Sequence, residues 1–121
     1  MSTMTGAGER IAAEVESWPR IEAGIGRRGE LSFRVGGREI GHLQGDHAVH
    51  FFFPRDIWLE LRREGRIVEH PIFPGREGPA ARRIDDEDDV RDVLDLLRLN
   101  YDHVVARAAR LRAAAAAGTR A

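Results

Sequence analysis

Two glycine-bearing turns, Gly36-Gly37 and Gly45-Asp46, stand a strand's length apart and commit the middle of this chain to a β-meander. Leu31, Phe33 and Val35 alternate with Ser32 and Arg34, the period of a half-buried strand. Glycine pairs tolerate the positive φ angles that tight hairpins require. With a two-residue loop at each turn, Leu31 faces His42, Phe33 faces Ile40, His42 faces Val49 and Ile40 faces Phe51. One face of the meander then collects Leu31, Phe33, Val35, Ile40, His42, Val49, Phe51 and Phe53. The other carries Ser32, Arg34, Glu39, Gly41, Leu43, His50 and Phe52. This register predicts an apolar core face that also holds one imidazole.

Helical periodicity flanks the meander. Ile11, Val15 and Trp18 form one stripe of a helix over 7–17, which Pro19 ends. Pro54 suits the first turn of a second helix carrying Ile57, Trp58 and Leu61, with Gly65 as a left-handed cap. Residues 67–73 read as a short strand interrupted at Pro71, which belongs at a sheet edge. Residues 74–79 are a loop, and 80–84 one more short strand. A long final helix begins at Asp85 or Asp86, where acidic groups complement the positive end of its dipole. Its predicted buried stripe is Val90, Val93, Leu94, Leu97, Tyr101, Val104 and Val105. The order predicts an α+β two-layer domain: an antiparallel three-stranded meander plus one or two short strands, packed against three helices.

The chain of 121 residues is expected to form a single domain over residues 1–121, with 1–6 and 113–121 frayed. Cysteine is absent, which excludes thiolate catalysis and cysteine-ligated zinc. A net charge of -1 gives no overall field for nucleic acid or anionic lipid, so a nucleic-acid partner is not expected. Neither a signal peptide nor a membrane-spanning run is visible, and a cytoplasmic location with no membrane partner follows as the expectation.

Three of the five histidines lie between the first turn and Pro54. His42, His70 and Asp46 are the candidate catalytic groups, since imidazole exchanges protons near neutrality and a carboxylate can orient it. Phe33, Phe51, Trp58 and Tyr101 are the candidate ligand-binding residues, the walls of an apolar pocket for a small apolar ligand. His42, His47 and His50 with Asp46 have the donor types of a metal site. Their spacing matches no established zinc pattern, and the two-residue register puts His42 and His50 on opposite faces. A three-residue turn at Gly45 would bring those two together. The reading is therefore no metal and no cofactor. Asp46 also has an ordinary structural role in a tight turn. Phe52 beside Leu43 is the candidate surface for a partner protein or a homodimer.

The segments Trp18-Pro19, GGREIGHLQGD over 36–46, FFFP before the second helix, EHPIFP over 69–74 and DVRDVLDLLRLNYD over 89–102 carry a family resemblance. Together they resemble the small bacterial "luciferase family" domain proteins. That resemblance implies a compact α+β fold and, through its label, a light-emitting oxygenase. Members of that family commonly read GHLHGD, with a second histidine where this chain has Gln44. Many also carry a glycine-tryptophan pair where Gly78-Pro79-Ala80 stands here. The element order is also similar to that of the MmcQ/YjbR-like proteins. The residues themselves are read as a small-molecule-binding protein or a cofactor-independent enzyme using histidine acid/base chemistry. The alternative is a non-catalytic protein-interaction module.

Overall fold

A computed structural model describes residues 5–118 of the chain. Helix α1 (Ala7–Glu16) leads into strands β1 (Ile21–Ile25), β2 (Leu31–Val35), β3 (Arg38–Gln44) and β4 (Ala48–Phe52). Helix α2 (Arg55–Arg63), strands β5 (Val68–Glu69) and β6 (Pro79–Arg83), and helix α3 (Glu87–Gly118) follow. The six strands form one antiparallel sheet in the order β1-β2-β3-β4-β6-β5. The α+β class and the central meander are as expected. The sheet is larger than expected, because Ile21–Ile25 adds a strand before the meander. Ile21, Ala23 and Ile25 do alternate with Glu22 and Gly24, but the stretch is short, contains alanine and glycine, and leaves its side chains mostly exposed.

Both helices α1 and α3 lie on one face of the sheet and meet each other there. Phe33, Ile40, Val49 and Phe51 from the sheet close against Ile11 and Val15 of α1 and Val93, Leu96 and Leu97 of α3. Each such side chain contributes about 1.5–3 kcal/mol when fully buried. Trp58 anchors α2 to the same core and donates its indole N–H to the Pro79 carbonyl at 2.9 Å. The alanine run expected to fray stays helical to Gly118, with its side chains exposed. Of the expected frayed start, Thr5 and Gly6 form a turn, while 1–4 and 119–121 lie outside the described residues.

The register departs from expectation at two points. Gly36-Gly37 is the two-residue turn read from the sequence, with φ of 59° and 80° and Val35 opposite Arg38. Beyond it, Arg34 pairs with Glu39 but Phe33 pairs with Gly41, so Ile40 is an extra residue in β3, a β-bulge. The second turn spans three residues, Gly45, Asp46 and His47, between Gln44 and Ala48. These two changes correct the predicted faces. Leu43 turns into the core, removing it from the expected partner surface, and His42 turns out of the core beside His50.

The bulge works because α3 accommodates it. Gly41 lies against α3, and a Cβ there would meet Leu97 Cδ2 at 2.8 Å and the His50 carbonyl at 2.9 Å. Gly41→Ala is therefore expected to cost about 2 kcal/mol by overpacking, measured by urea unfolding. A stability unchanged from the parent would mean that α3 yields at this point.

Candidate functional site

The sheet face away from α1 and α3 carries a row of paired residues. Ser32 faces His42, His42 faces His50, His50 faces Ala81, and Ala81 faces Val68. Side chains across a ladder point to the same side, so His42 and His50 stand adjacent above this outer face. Their ring centroids are 5.2 Å apart in an edge-on arrangement. His70, one residue past β5, folds onto the row with its ring 4.2 Å from that of His50 and only 3% of its surface exposed. Potential ligand atoms of His42, His50 and His70 all lie within 4.8 Å of one another.

The bulge also builds a carboxylate–imidazole pair. In a regular strand, residues three apart point to opposite faces. The extra residue Ile40 brings Glu39 and His42 to the same side, where His42 Nδ1 lies 2.7 Å from Glu39 Oε2. A carboxylate can only accept, so Nδ1 carries the proton, and in the neutral ring Nε2 keeps a free lone pair. The hydrogen bond from His42 holds the Glu39 carboxyl below its ordinary range; burial opposes this, and the charges of His42 and Arg34 add to it.

His50 is uncharged at neutral pH. Burial, followed by the neighbouring imidazoles of His70, His42 and His47, pushes it down to about 4. Burial and then His42 lower His70 as well. His70 Nδ1 accepts the Ile72 backbone N–H at 3.1 Å, which places the proton of its neutral ring on Nε2.

A cleft of about 600 Å³ opens over this cluster, bounded by the 26–30 turn on one side and Ile72 and Phe73 on the other. That volume falls within the range that holds small organic ligands. Arg27, Arg28 and Arg34 line it together with the three histidines, and Phe52 and Phe73 supply aromatic walls. The Phe52 ring lies 6.3 Å from both His42 and His70, and Phe73 lies 5.1 Å from His70. The lining is thus polar at its floor and aromatic at one end, rather than apolar throughout.

Among the predicted site residues, the structure brings His42 and His70 together and adds His50. Asp46 stands apart from them. Its carboxylate accepts the backbone N–H groups of Gly6 at 3.2 Å and Gly8 at 2.8 Å, capping α1 from a distant turn. Phe33, Phe51, Trp58 and Tyr101 are not among the residues lining this cleft; all four are buried in the helix-covered core. Tyr101 donates its hydroxyl to the Pro19 carbonyl at 2.8 Å, so its polar end is occupied too. His47, weighed with the other two as a possible metal donor, is exposed on the turn. Glu39 and Phe73 were missed, and the pairing of His42 with His50 stood only as the alternative of a three-residue turn. All three depend on the bulge, the turn length or a loop crossing, none of which periodicity reports.

A family model described as "Luciferase domain" matches residues 37–100, just over half of the chain. Glu39, His42, His50, Phe52, His70 and Phe73 all fall within that span. No curated protein and no solved structure shows significant similarity to the chain, so the layout likeness to MmcQ/YjbR-like proteins has no structural match behind it.

Proposed function

This chain belongs to the luciferase-domain family, and we propose that its outer-face cleft binds a small organic molecule and removes a proton from it. The carrying observation is the Glu39–His42 pair at 2.7 Å, standing at the floor of the cleft beside two further imidazoles. Glu39 holds the Nδ1 proton and fixes the ring, so the opposite nitrogen is the proton acceptor. His50 and His70 supply uncharged hydrogen-bonding partners, while Phe52 and Phe73 cover an apolar portion of the ligand. An organic anion formed in this way is electron-rich, which fits the oxidative chemistry named by the family label.

The test is a fragment screen by NMR on chelator-treated protein. Bound fragments are expected to shift His42, His50, His70, Phe52 and Phe73, and His42→Gln should weaken binding roughly tenfold, the equivalent of one lost hydrogen bond. Fragments that bind only elsewhere on the molecule, or none at millimolar concentration, would sink the reading.

A second reading, an interaction module, draws on the exposed Phe52, Val68 and Ile72 along this side of the sheet. Light scattering separates the two. A dimer that dissociates in Phe52→Asp favours the module, and a monomer with fragment binding in the cleft favours the small-molecule site.

A further inference from the structure

We propose that His42, His50 and His70 together bind one divalent first-row transition metal ion, facing the cleft. The inference rests on the cleft being the working site of the molecule. Three imidazoles from β3, β4 and the segment after β5 present ligand atoms within 4.8 Å of one another. Imidazole nitrogens held at about 2.0–2.1 Å around a tetrahedral ion lie about 3.4 Å apart. The cluster therefore needs to close by little more than an ångström, within reach of side-chain rotation.

Three features of the surroundings fit a metal rather than a packed histidine cluster. Glu39 hydrogen-bonds the ring nitrogen of His42 that would face away from the ion, as outer carboxylates do for ligating histidines. Three protein ligands would leave a fourth position, and the same three histidines line the open cleft, as suits a catalytic rather than a structural ion. The donor set contains imidazole alone, with no thiolate, which suits zinc, cobalt, nickel or copper and disfavours calcium or magnesium. With an ion bound, His42 would be held as a ligand, and the ion would supply Lewis acidity at the cleft floor.

His70 gives the inference a distinctive signature. Its Nδ1 accepts the Ile72 N–H, so ligation through Nε2 requires the ring proton to move to Nδ1 and that hydrogen bond to open. Ile72 is exposed, which leaves its N–H able to turn to water.

Chelator-treated protein is titrated with cobalt chloride and with zinc chloride, following calorimetry and the nitrogen resonances of the imidazoles. The expected result is one ion per chain, with His42, His50 and His70 shifting and His47 and His103 unmoved. The His70 nitrogens should exchange which one is protonated. His50→Gln should weaken binding by at least roughly 100-fold and Glu39→Gln by roughly tenfold, while His47→Gln leaves it unchanged. Circular dichroism confirms that each variant folds, and His70→Gln gives an independent loss should His50→Gln not fold. No saturable binding, or binding that survives in His50→Gln or His70→Gln, overturns the metal site. If fragments still occupy the cleft in that case, the small-molecule reading stands without the metal. If metal binds and no fragment does, the metal site stands and the small-molecule reading falls.

Discussion

Phe51→Ala is expected to lower the unfolding free energy by about 4 kcal/mol, a drop of about 15 °C in melting temperature. Phe51 is wholly buried, stacked on Phe53 with ring centroids 5.2 Å apart, and sealed beneath α3. Truncation removes its transfer free energy and leaves a cavity that the helix cannot collapse to fill. The neighbouring residue behaves oppositely. Phe52 points to the outer face with 40% of its surface exposed, so Phe52→Ala should change stability by no more than about 1 kcal/mol. Its effect belongs instead to fragment binding in the cleft. Parallel urea melts of the two variants decide the matter. Equal losses would mean that Phe52 is also core, and that the division of the sheet into a packed face and a working face is wrong.

Asn100→Leu is expected to cost about 3 kcal/mol, although leucine matches asparagine closely in size. Asn100 is 1% exposed and donates from its side-chain amide to the Ile40 carbonyl at 2.9 Å and the Phe52 carbonyl at 3.0 Å. Ile40 is the bulged residue, left without a ladder partner, and Phe52 ends β4. Each carbonyl deprived of its donor in a dry setting costs about 1–3 kcal/mol. The same amide holds the bulge, and the bulge turns Glu39 toward His42. Asn100→Leu should therefore also loosen the Glu39–His42 hydrogen bond, seen as a shift of the His42 Nδ1 proton resonance. A loss under about 1 kcal/mol with that resonance unmoved would show that water serves both carbonyls equally well.

How much of this was legible beforehand varies element by element. The 7–17 stripe, the Gly36-Gly37 hairpin, the Gly65 cap and the acidic start of the last helix follow from local chemistry, and each stands where it was read. Strand β1 was overlooked although Ile21, Ala23 and Ile25 alternate, because five residues that include alanine and glycine give only a weak strand signal. Asn100 was invisible because one amide inside an apolar stripe looks like a solvated residue until the carbonyls it serves are located. Phe33, Phe51, Trp58 and Tyr101 were correctly read as inward-facing aromatics, but their face belongs to the core and not to a cavity.

Local sequence determined the α+β layout, the central meander and the gathering of imidazoles within it, because turn residues and residue periodicity act over a few positions. Tertiary structure alone decided which imidazoles meet. One extra residue in a strand or a turn reverses every side chain beyond it. Whether that residue is tolerated depends on Gly41 leaving room for Leu97 and on Asn100 satisfying the carbonyl it frees, both of them contacts with a helix far along the chain.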